Sequence, residues 1–333
     1  MTLLSKNGWR CGPIRPAAAC ALVAIVLARP AGAQWALIQA DSLLASGRVA
    51  AAESLYYAAS SAHPRDAVAR AALGRYLAAR GALRIGAVLL EEARLFGGDT
   101  AGIARSLVPI YGSLGDYRAL ATLPASPLSD VERKRVGWLV GHAPVLEFPD
   151  SVAVLDYRPV TDGSGLGVIS VTVAERRIDA VIDPRVTGVV LRGSARRRRG
   201  LKVFGTDSSG AIAVVPELRL GDVALTNVPA RLENDLPLVK GAPPLSSIGL
   251  DVVQRLAPTF DPNAKTITLR RTGQVAPGTT GTRLPILLAT AGLLVLVDGQ
   301  WQPMWSRSAA DLLATRRWTL DAKRGVVVLY SVK

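Results

Sequence analysis

Cysteine is nearly absent: of 333 residues only Cys11 and Cys20 are cysteines, both within the first 33 positions. With that segment removed, neither a disulfide nor a thiolate metal site can form, and stability must come from packing. Histidine is as scarce, with His63 ahead of Pro64 in a turn and His142 close to Pro144. Neither has the partner set that zinc or a serine triad requires, so no metal and no cofactor is expected. Acidic residues are few, 26 against 40 lysines and arginines, for a formal charge of +14. Long apolar runs are missing too. Residues 17–27 form an apolar stretch, about half of what a stable bilayer anchor needs.

That stretch follows Lys6, Arg10 and Arg15 and precedes Ala31-Gly32-Ala33, the small-residue form of a signal-peptidase site. The pattern predicts a leader over residues 1–33, cleaved after Ala33, and export to a periplasm or the exterior. Cys20 gives a second reading as a lipid-attachment residue, although most of the apolar core lies after it. Cleavage would remove four basic residues and no acidic one, taking the charge from +14 to +10. An exported basic chain suits an anionic envelope surface better than nucleic acid. The run Arg196–Arg199 lacks the aromatic interleaving of a nucleic-acid reader, and a solvated loop is its simpler reading.

Gly47, Gly81 and Gly115 recur at 34-residue intervals, each ending a helical pattern before another apolar helix. Around them Ala40, Leu43, Ala52, Tyr56, Ala59 and Pro64 set the spacing; Leu73, Gly74, Leu77, Gly86, Leu90, Ala93 and Gly98 carry a second copy. A third keeps Leu107, Tyr111 and Leu120 and stops at Pro124. Small residues let the helices of a pair approach closely, and larger ones bury against the next pair. The spacing resembles the tetratricopeptide consensus over residues 34–124, which implies an α-solenoid. Such a stack captures a peptide or serves as a dock for the rest of the chain. Ser129 and Glu132 form a capping box for a further helix within 125–150, a segment read as capping helix and linker.

From Val152 the period changes to short β-branched runs at 168–173, 178–182, 189–191 and 211–215, separated by Gly, Pro and Asp turns. The segment Val181-Ile182-Asp183 leads into a turn and a second apolar strand, and Ser247-Ile248-Gly249-Leu250 follows later. Together with Phe260-Asp261-Pro262 and Thr266–Leu269, these residues resemble a retropepsin-like aspartic protease over 151–272. The resemblance implies an all-β barrel, an apolar-apolar-Gly segment crossing behind the catalytic loop, a flap at 205–210, and Asp183 as the candidate catalytic residue.

At its centre the pattern departs. The family's Asp-Thr/Ser-Gly stands here as Asp183-Pro184-Arg185. Pro184 has no hydroxyl and no backbone donor, and Arg185 adds bulk and a fixed positive charge. Aspartic proteolysis needs two carboxylates sharing one proton; a guanidinium within about 4–6 Å favours both as anions. Residues 273–333 look like a shortened second lobe: Trp318–Asp321 with Val326–Leu329 repeats Thr259–Asp261 with Thr266–Leu269, four residues separating Asp from strand in both. A hairpin around Asp298-Gly299 should continue through Pro303–Arg307, which offers no second Asp. The fold class expected is therefore multidomain α and β: a tetratricopeptide-like solenoid, then a retropepsin-like barrel with a degenerate second lobe. The expected function is peptide or protein binding by an impaired protease-like domain. Two rivals stand beside it: an active endopeptidase pairing Asp183 of two copies in a homodimer, and an envelope scaffold on an anionic surface.

Overall fold

A computed structural model of the chain describes residues 31–148, 150, 152–159, 167–183, 186–193, 195, 200–233, 245–249, 252, 256–270, 281–289, 292–304 and 306–331. The leader expected over 1–33 lies outside them except for the backbone of 31–33, which opens the first helix.

The helical part runs α1 (Ala31–Ala45), α2 (Val49–Ala62), α3 (Ala67–Ala79), α4 (Leu83–Leu95), α5 (Thr100–Leu114), α6 (Tyr117–Thr122) and α7 (Asp130–Gly141). The three spaced glycines end α1, α3 and α5 with φ of 74°, 88° and 71°, the left-handed region that penalises any Cβ. Each closes with the same bonds: the glycine N–H to the carbonyl three residues back, and the next N–H to the carbonyl five back. Close packing uses the small residues as the spacing demands, since a Cβ on Gly86 would lie 2.7 Å from the Gly74 carbonyl oxygen. Tyrosines tie one helix pair to the next: Tyr76 on α3 donates to Glu53 on α2 at 3.0 Å, and Tyr111 on α5 donates to Glu91 on α4 at 2.8 Å. Ser129 and Glu132 complete the reciprocal cap of α7.

The strands are β1 (Val145–Glu147), β2 (Val152–Pro159), β3 (Gly167–Val173), β4 (Arg176–Asp183), β5 (Val189–Leu191), β6 (Lys202–Asp207), β7 (Gly210–Leu220), β8 (Val223–Leu232), β9 (Ser246–Gly249), β10 (Thr259–Asp261), β11 (Thr266–Arg270), β12 (Gly281–Ala289), β13 (Gly292–Val297), β14 (Gln300–Pro303), β15 (Trp318–Asp321) and β16 (Val326–Tyr330). Pairing β3-β4-β9-β5-β8-β7 and back to β3 closes a barrel. Alternate residues of β3, Ile169, Val171 and Val173, point into its core with Leu191, Val215, Leu218 and Ile248. The described C-terminal part is thus sheet-rich around a closed β-barrel. β1 lies in the segment read as linker, and pairs with β8.

A second sheet, β12-β16-β15-β10-β11-β2, joins the barrel to the last fifty residues. The strand-turn-strand unit β10–β11 recurs 60 residues later as β15–β16, and the two units meet edge to edge with Thr259 opposite Thr319 and Phe260 opposite Trp318. Because Thr319 is itself the counterpart of Thr259, a local two-fold axis passes between them, the geometry of an isologous dimer contact inside one chain. Phe260 and Trp318 stack at 4.0 Å, and the two threonine hydroxyls lie 2.7 Å apart in a buried chain that reaches the Tyr330 hydroxyl. The stretch Pro303–Arg307 does not continue the hairpin as the sequence suggested: β14 ends at Pro303, and Ser306 caps a helix, α8 (Arg307–Ala314), which buries Ala309, Ala310 and Leu313.

The helical part meets the β part at the ends of α1 and α3 and again at α7. Arg80, at the end of α3, donates from Nη1 to the carbonyls of Ile286 (2.6 Å) and Gly325 (2.7 Å). A Cβ on Gly81 would overlap the Ala322 carbonyl, and one on Gly47 would lie 2.7 Å from the Gly299 oxygen. Trp301 donates its indole N–H to the Leu44 carbonyl at 2.5 Å. At the other end α7 packs on β6 and β7, with Trp138 against Phe204 and the Lys202 ammonium 4.4 Å above the Trp138 ring.

Candidate functional site

Asp183 ends β4 and is 2% exposed. Strand β9 runs parallel to β4, setting Ile248 beside Ile182 and Gly249 beside Asp183, and antiparallel to β5, setting Ile248 beside Val189. The chain therefore leaves the barrel at Asp183 and returns as β5 on the far side of β9, as the crossing segment expected from Ser247-Ile248-Gly249 requires. Two backbone bonds hold the return: Val186 N–H to the Asp183 carbonyl at 3.3 Å, and Gly249 N–H to the Gly188 carbonyl at 2.7 Å. Gly188 has φ 65°, and its missing Cβ leaves room for the Pro229 carbonyl, which such an atom would meet at 2.6 Å. Pro184 and Arg185, on which the expected mistuning of Asp183 turns, lie outside the described residues, as do Arg196–Arg199.

Arg192, one residue past β5, was not singled out in the sequence and organises the back of this loop. Its side chain is 10% exposed and pairs with Glu233 at 2.6 Å. Nη1 donates to Ser247 Oγ at 2.9 Å and to the Leu245 carbonyl at 3.2 Å, so one guanidinium fixes β9 against β5. An isolated arginine after an apolar run carries no pattern by which the sequence could have marked it.

The second lobe brings no carboxylate to a matching place among the described residues. Asp298 (φ 48°) and Gly299 (φ 76°) form the tight turn between β13 and β14. Asp311 is exposed on α8. Asp321 accepts from Arg324 N–H at 3.1 Å, as Asp261 accepts from Ala264 N–H at 3.0 Å, so both repeated aspartates cap turns. The flap position is a hairpin between β6 and β7 whose Gly205 faces Val131 of α7. Among the described residues no three His, Cys, Asp or Glu side chains gather in a metal-binding group, and no helix is long and apolar enough to cross a membrane. His142 instead stacks on Trp138 at 4.1 Å.

No family model matches the chain. No curated protein matches it either. Among solved structures, the chain is similar to a retropepsin-like aspartic protease from Rickettsia conorii at 15% identity and a TM-score of 0.28, over 39% of this chain and 94% of that one. An open concavity on β2, β3, β4 and β7 is lined by Arg158, Arg177 and Arg219 together with Asp156. Two of the three already have acids, Arg158 with Asp179 at 2.6 Å and Arg219 with Glu217.

Proposed function

We propose that the chain is an exported binding protein: a retropepsin-like β half without proteolytic function, seated on tetratricopeptide-like helix pairs, that holds an extended peptide or protein segment. The observation that carries this reading is the β10–β15 contact. The β10 edge, which we take as the one through which a second copy of such a half would pair, is occupied by β15 of the same chain, and the described aspartates of the lobe supplying β15 sit in turns or on an exposed helix face. In this reading the chain is not built for the shared-proton carboxylate pair of aspartic proteolysis. Strand β6 pairs only with β7 among the described residues and leaves Val203 exposed; an extended segment can add along that edge through main-chain hydrogen bonds. The helix pairs act as the dock that fixes both lobes, in keeping with Arg80, Gly47 and Gly81.

The test is fluorescence anisotropy of labelled extended peptides from an unbiased decapeptide library, run beside an assay for new amino termini. Selected peptides should bind, remain intact, and bind Asp183→Asn equally well. Cleavage that disappears in Asp183→Asn would show the endopeptidase reading to be correct.

A further inference from the structure

Where α5, α6 and α7 meet the barrel, a cavity of about 210 Å³ lies between Val108, Leu120 and Val136 on one side and Thr187 and Pro229 on the other. Its walls are mostly apolar, yet Arg135 and Glu132 of α7 and Arg231 of β8 all line it, two cations against one anion. Among the described residues Arg135 makes no ion pair and its buried Nε has no partner; its hydrogen bond is a long one, 3.3 Å from Nη1 to the Ala230 carbonyl. Burial lowers the Arg135 pKa, with Arg231 adding to that direction and Glu132 opposing it. Glu132 caps α7 by accepting from Ser129 N–H at 3.1 Å, and its other oxygen forms a long ion pair with Arg231 at 3.6 Å, beyond hydrogen-bond range, so it leaves Arg135 unneutralised by direct contact. Arg231 also donates to the Ser209 hydroxyl.

We propose that this cavity binds a carboxylate attached to a short branched apolar group, its oxygens taken by Arg135 and Arg231 and its body by Val108, Leu120 and Val136. A guanidinium offers five donors in a planar fork that matches a carboxylate, and an unmet buried N–H is a cost such a ligand removes. The volume admits a short acid or the last residue of a peptide and excludes a large ligand. The inference does not depend on strand addition at β6, so either can fail alone.

Isothermal titration of the full chain with isovalerate and isovaleramide tests it. Isovalerate should bind and the amide should not, and Arg135→Gln should weaken isovalerate at least about tenfold. A tripeptide ending in free leucine, beside its amidated form, separates the sources: tighter binding of the free-acid tripeptide than of isovalerate assigns the site to peptide C-termini, and isovalerate binding alone assigns it to free acids. If Arg135→Gln does not fold, the acid and amide pair on the wild-type chain still decides. Absence of binding by both acids at about 10 mM, or equal binding by acid and amide, would overturn the proposal.

Discussion

Tyr56, Tyr76, Tyr111 and Tyr157 are buried, and burial raises the pKa of each; Tyr157 is pushed up to about 12. An unfolded tyrosine ionises near 10. The folded state therefore holds its phenolic protons where the unfolded chain has lost them, and stability constant below about pH 10 should fall as pH rises toward about 12. Urea midpoints across that window, with phenolate absorbance followed in parallel, check the sign. Tyr111→Phe isolates one such group: it strips the hydroxyl from Glu91, which keeps Arg94 at 2.8 Å, and should cost about 1 kcal/mol in chemical denaturation. At this scale the sequence was partly legible. Asp183 stood out because a carboxylate between apolar strands is expensive to bury. Arg192 and Arg80 did not, because their partners are set by distant backbone: the Arg80 carbonyls lie 206 and 245 positions away.

Elements with a strong local signal were readable in advance. The three glycines announced the ends of α1, α3 and α5, since only a left-handed residue closes such a turn cheaply, and Ser129 with Glu132 announced α7. Short or context-made elements were not: β1 is three residues long and exists through β8, and α8 follows a hairpin that its sequence could have prolonged. The glycines also have a second duty that periodicity does not reveal. Gly97 (φ 84°) has nothing within 4 Å of a hypothetical Cβ, whereas Gly81 (φ 88°) faces the Ala322 backbone. Gly97→Ala should cost about 1 kcal/mol of backbone strain, and Gly81→Ala about 3 kcal/mol because it also separates α3 from the second lobe. Thermal unfolding of the two variants side by side gives the comparison.

Across the whole molecule, an internal duplication pairs with itself. The unit β10–β11 finds its symmetry mate in β15–β16, so the edge of β10 is closed without a second chain. Deleting residues 281–331 should uncover that edge together with Phe260 and make the chain self-associate more strongly than the full-length chain, which sedimentation velocity of the two would detect. If the shortened chain associates no more than the full-length one, β15 is not what closes the edge. The 60-residue repeat was visible in the sequence as matched Asp-to-strand spacings; that its two copies pair with each other was not, because register across a two-fold axis leaves no local trace.

The central claim of the proposal is that the chain binds extended segments without hydrolysing them, and digestion of an unfolded protein substrate by the purified chain at about pH 4 tests it most directly. The account predicts no new amino termini, with or without a statine-type inhibitor. Cleavage that the inhibitor blocks and Asp183→Asn abolishes would contradict it.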